Sequence, residues 1–136
     1  MRRQGKGVRK VKVLVVVNSA ALSQVIQSLF CGRPEFEVVR GPSGLRNLKQ
    51  QAGRLLPELI VANLKPVQTG VCRVVTSIKQ SSPLSKLILI CPVKELARGA
   101  RQCGADACVE EEKLIGRLLP AARALSDHRG PAASGN

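Results

Sequence analysis

At 136 residues the chain has the length of one domain, and 44% of its residues are apolar, enough for one aliphatic core. Phe30 and Phe36 are its only aromatic residues, which excludes an aromatic platform for stacking single-stranded bases. The net charge of +13 attracts anionic partners (phosphate backbones, anionic lipid surfaces or acidic proteins) without choosing among them.

That charge is unevenly spread. Residues 1–10 carry Arg2, Arg3, Lys6, Arg9 and Lys10 with no acid, and they read as a basic flexible arm, a candidate for binding anions. Residues 11–126 remain net positive and read as the folded domain. Residues 127–136 are polar and rich in Gly, Pro, Ala and Ser, the composition of a disordered tail. The cysteines are Cys31, Cys72, Cys91, Cys103 and Cys108, an odd set without a CxxC pair, and His128 is the only imidazole. No metal site is therefore expected. On apolar faces these cysteines act as small hydrophobes, which fits a reducing cytoplasm. No signal peptide is read at the start, and no run approaches the ~18–20 apolar residues of a membrane span.

Five strand–helix alternations follow one another. Val11–Val17 is β-branched and almost wholly apolar, as in a strand buried on both faces of a parallel sheet. Asn18 and Ser19 supply N-cap chemistry for a helix whose apolar stripe is Leu22, Val25, Ile26, Leu29 and Phe30. Phe36–Arg40 is a second strand, and Ser43 caps a second helix running to about Leu55. Leu59–Ala62 is a third strand and Val71–Gln80 a third helix. Leu87–Cys91 is a fourth strand, Lys94–Cys103 a fourth helix and Ala107–Val109 a brief fifth strand. The last helix opens at Glu111 or Glu112 and runs to about Ser126, with Pro120 expected to kink or split it. This alternation predicts an α/β, flavodoxin-like (βα)5 doubly wound parallel sheet with strand order 2-1-3-4-5.

In such a sheet the functional crevice lies beyond the carboxyl ends of strands 1 and 3. The runs KVLVVVNSA, PELIVANLKPVQTG, LILICP and GADACVEE fall at those ends. Together they resemble the receiver domain of bacterial two-component response regulators, over about Lys12 to Leu125. By that resemblance the family's acidic pair stands at Val17 and Asn18, its phosphoacceptor aspartate at Asn63, its hydroxyl residue at Cys91 and its lysine at Glu111. None of these keeps the family's chemistry. An amide is not a usable nucleophile toward a phosphoryl donor, a hard cation wants carboxylates, and Glu111 opposes an anion. The resemblance thus implies a degenerate phosphorylation pocket in a stand-alone pseudo-receiver. Such a protein is not an enzyme and takes no cofactor. It acts in phosphorelay-like signalling through protein contacts. The face formed by helix 4, strand 5 and helix 5 often docks partners or dimerises in the family. That makes Lys94, Arg98, Arg101, Lys113 and Arg117 candidate partner-face residues.

Other chemistry is weaker. The loop after strand 1 has no glycine for an FMN phosphate, and GxxxxGK[ST] is absent. A basic nucleic-acid-associated protein reusing the fold is the alternative function, carried by the arm. A thiol site at Cys91 is a third reading. It requires a lowered pKa, which neighbouring carboxylates oppose.

Overall fold

A computed structural model describes residues 10–40, 45–63, 70–92 and 94–134. Of the basic arm only Lys10 is described; Arg2, Arg3, Lys6 and Arg9 lie outside the described residues. In chain order the elements are β1 (Val11–Val16), α1 (Ala20–Phe30), β2 (Phe36–Arg40), α2 (Leu45–Leu55) and β3 (Leu59–Asn63). They continue with α3 (Val71–Ser81), β4 (Lys86–Cys91), α4 (Lys94–Gln102), β5 (Ala107–Glu110), a 3-10 turn (Glu111–Lys113) and α5 (Leu114–Ser134). The sheet is five-stranded with order β2-β1-β3-β4-β5, and the described ladders are all parallel. This is the flavodoxin-like receiver fold.

The two faces of the sheet are sorted by the period-2 alternation of side chains along a strand. Val13, Val15, Leu59, Val61, Ile88 and Ile90 bury with Ile26 and Phe30 of α1 and Leu118 and Ala122 of α5. Leu14, Val16, Ile60, Leu87, Leu89 and Cys91 bury on the opposite face with Ala52, Val75, Ile78 and Ala100, from α2, α3 and α4. Both faces of every central strand are therefore apolar, which is why these strands read as unbroken hydrophobic runs.

Polar residues fasten the amino ends of the strands. Lys12 N–H donates to Glu58 Oε1 at 3.1 Å, and Glu58 N–H donates to Lys12 O at 3.0 Å. Asp106 Oδ2 accepts from Leu87 N–H at 2.7 Å and from Lys79 Nζ at 2.8 Å, so one carboxylate joins β4, the start of β5 and α3. Gly104 turns the chain into that position at φ 119°, a conformation that excludes side chains with a Cβ at ordinary cost.

Two features depart from the sequence reading. First, α5 passes through Pro120 without a break and continues to Ser134, where a kink or split at the proline and a helix end near Ser126 were expected. Leu118, Leu119 and Ala122, all buried, hold both turns around the proline onto the sheet. Second, Cys72 of α3 and Cys103, just past α4, form a disulfide with Cα atoms 5.0 Å apart. This corrects, for these two, the expectation of reduced cysteines. The packing of α3 on α4 unites positions 31 residues apart, and no spacing rule reveals that. Among the described residues no helix is long and apolar enough to cross a membrane.

Candidate functional site

The mouth of the sheet is built where β1 and β3 end side by side. Their register pairs Val16 with Ala62, which places Asn18 and Asn63 next to each other beyond the last rung. Asn63 Nδ2 donates to Asn18 Oδ1 at 2.7 Å, and Asn63 Oδ1 accepts from the Asn18 backbone N–H at 3.1 Å. Each amide thus uses a donor or an acceptor of the other residue, closing a two-bond clasp across the crevice. Ser19 begins α1 immediately afterwards, its Oγ accepting from Leu22 N–H at 3.2 Å, as expected of an N-cap.

The remaining sequence-predicted positions are not drawn into this clasp. Val17 packs against the core on the α1–α5 face. Cys91 is fully buried on the opposite face, among the α3–α4 residues. Glu111 is exposed and lies one residue past β5, in the 3-10 turn, while Glu110 is the residue in register with Cys91. Of the five positions, the structure therefore brings Asn18 and Asn63 into direct contact. Neither they nor Val17 offers a carboxylate for a hard cation. Among the described residues no group of three or more His, Cys, Asp or Glu side chains is placed to hold a metal.

A second site lies between α4 and β5. Lys94, Arg98 and Arg101 line a cleft of about 580 Å³ whose floor includes Cys108 and whose only acid is Glu110. Lys113 and Arg117 are exposed on the 3-10 turn and α5 but do not line this cleft. Cys108 shares a face of β5 with Glu110 and packs against the same core as Cys91. The Cys91 thiol is pushed well above the ordinary range by its interaction with Cys108, by burial and by the negative charge of Glu110. Cys91, the thiol of the third sequence reading, is fully buried, as an inert cysteine is. Strand parity carried the signal: Cys91 and Cys108 belong on one face of neighbouring strands once the sheet order is known.

No family model and no curated protein sequence matches the chain. Solved structures do match it. One is a two-component response regulator of the LuxR family from Aurantimonas sp. SI85-9A1, with a TM-score of 0.74 at 18% identity over 86% of each chain. Another is the response regulator domain of Thermotoga maritima CheB, with a TM-score of 0.71 at 19% identity over 87% of this chain and 98% of that one. A third is the complex of the P1 domain of CheA3 with CheY6 from R. sphaeroides, with a TM-score of 0.71 at 20% identity over 87% of this chain and 98% of that one. At these identities the likeness defines the fold, that of receiver domains.

Proposed function

We propose that the protein is a non-phosphorylatable receiver, acting in two-component-type signalling in the cytoplasm through protein contacts and not through phosphotransfer. The observation that carries this reading is the Asn18–Asn63 clasp. It fills the crevice with two neutral amides bonded to each other, where phosphotransfer needs carboxylates for Mg²⁺ and a carboxylate nucleophile. Glu111, where the resemblance puts the family's lysine, carries the charge that opposes a phosphoryl group. With chemistry absent at the mouth, function passes to surfaces, and the cations of α4 form the face that suits a protein partner. The CheA3–CheY6 complex is a case of a receiver-type protein held by a partner domain.

The test is incubation with acetyl phosphate and Mg²⁺, followed by intact mass and by amide shifts in the presence of beryllofluoride. No phosphoryl adduct and no shift at Asn63 are expected; a stoichiometric adduct overturns the reading. The net charge of +13 favours one second reading, a nucleic-acid-associated protein. It requires DNA or RNA binding that weakens steeply with salt and is lost on deletion of residues 1–10.

A further inference from the structure

We propose that the Cys72–Cys103 disulfide is a reversible redox latch, closed and opened by a thiol–disulfide couple of the glutathione class, which fastens the carboxyl end of α4 to the first turn of α3. The latch stands apart from the reading of function above, because it lies at the α3–α4 edge and not at the Asn18–Asn63 mouth.

The two sulfurs sit at opposite kinds of helix end. Cys72 is the second residue of α3, whose first turn holds no acid and whose amino end is capped by no side chain. Backbone N–H groups left free at such an end favour a thiolate. Cys103 directly follows α4, and its N–H closes that end by donating to the carbonyls of Gly99 at 3.1 Å and Ala100 at 3.2 Å. The carboxyl end of a helix carries the opposite partial charge and disfavours a thiolate. Cys72 is also exposed, whereas Cys103 is half-buried. A small thiol arriving from solvent therefore meets Cys72, and the open form gains from the anion that Cys72 can hold.

The helix fastened by this bond is weak in its own right. At nine residues α4 is the shortest of the α-helices. Gly99 lies inside it, and a Cβ there would meet nothing within 4 Å, so this glycine answers no steric need and lowers the stability of the helix. The described side chains that α4 adds to the core are Ala97 and Ala100, against Val71, Val74, Val75 and Ile78 from α3. Opening the bond thus leaves α3 seated and loosens the carboxyl end of α4. Arg98 and Arg101 of the cationic cleft stand near that end, so the latch sets how firmly this wall of the cleft is held.

Closing takes two thiol–disulfide exchanges. The Cys72 thiolate attacks one sulfur of the oxidised reagent. The reagent's S–S bond breaks, one half leaves as a thiolate and the other stays bonded to Cys72. The Cys103 thiolate then attacks the Cys72 sulfur, the protein disulfide forms and the second half leaves. The protons given up by Cys72 and Cys103 end on the two departing thiols. Two electrons pass from the protein sulfurs to the reagent, with no further oxidant. Opening is the reverse, with two reduced reagent molecules consumed and the first attack at Cys72.

The experiment uses the full chain in neutral glutathione buffers, from fully oxidised to a thiol-rich buffer of cytosolic poise. The bonded fraction is read by alkylation and peptide mass mapping, and local opening by amide hydrogen exchange. The bond is expected to open for most molecules in the thiol-rich buffer, to reclose when glutathione disulfide is added, and to leave the circular dichroism of the fold intact. On opening, exchange in residues 94–102 should rise about tenfold relative to exchange in residues 20–30 of α1. A staple that acts on the unfolded chain alone raises both segments alike and leaves their ratio unchanged. The double variant Cys72→Ser with Cys103→Ser should show the raised ratio in both buffers. Of the single variants, Cys103→Ser should take up glutathione at Cys72 about tenfold faster than Cys72→Ser takes it up at Cys103. If the double variant does not fold, the native chain in the two buffers and the single variants still decide the matter. A bond that stays closed in the thiol-rich buffer, loss of the fold on opening, an unchanged exchange ratio, or faster uptake at Cys103 overturns the proposal.

Discussion

The two ends of the β-sheet have handled their polar residues in opposite ways. At the amino ends, charged side chains remain and are bonded to backbone. Glu58 closes the β1–β3 edge through Lys12 N–H, and Asp106 accepts from both Leu87 N–H and Lys79 Nζ. At the carboxyl ends of β1 and β3 the amides of Asn18 and Asn63 are bonded to one another in a partly open crevice. The contrast shows which charges the fold itself requires. Those that complete a backbone hydrogen bond near the core cannot be removed without orphaning a donor.

The largest expected effect is at Asp106. Its side chain and that of Lys79 are each mostly shielded, with 21% and 29% exposure. Asp106→Ala leaves Leu87 N–H without its side-chain acceptor and takes the ion-pair partner from the Lys79 ammonium, which keeps only the Ser85 carbonyl at 3.0 Å among its described partners. Unfolding in urea should show a loss of about 2–3 kcal/mol. A loss under about 0.5 kcal/mol, the range of an ordinary surface substitution, would mean that the amino-end network is decorative.

The same measurement at the mouth should give a smaller number. Asn18 is exposed and Asn63 half-buried, so water replaces whatever the clasp loses. Asn63→Ala should cost about 1 kcal/mol or less, and a double cycle with Asn18→Ala should return a coupling of that order. A cost equal to that of Asp106→Ala would erase the distinction between the two ends and make the clasp an architectural element.

The sequence made the fold legible because parallel strands buried on both faces leave unbroken runs such as Val11–Val17 and Leu87–Cys91, and because turn glycines separate them. The meeting of Asn18 and Asn63 was legible for the same reason. Once strand ends are placed, Asn18 and Asn63 can only be neighbours. Pairings that depend on how helices lean were not legible. Cys72 meets Cys103 because α3 packs on α4, and Cys108 meets Arg101 because α4 covers the β5 edge of the cleft. Pro120 misled because local propensity says nothing about the buried leucines that hold the helix on either side of it.

The smallest effect probes how firmly the amino end is anchored. Leu56, between α2 and β3, adopts φ 49°, the only non-glycine positive φ among the described residues. Its side chain is 69% exposed, so little packing repays that conformation. What holds it there is the segment that follows. Pro57 O accepts from Ser85 Oγ, and Glu58 is bonded to Lys12. A left-handed residue at a helix end ordinarily favours Gly or Asn. Leu56→Asn should therefore raise stability by about 0.5–1 kcal/mol. Leu56→Gly should give less, because glycine's added freedom in the unfolded chain offsets part of the relief. The order Asn above Gly above Leu in urea midpoints is the expected result. A native Leu56 more stable than both variants would show that its exposed side chain contributes packing the structure does not reveal, and that the amino end is held by more than its hydrogen bonds.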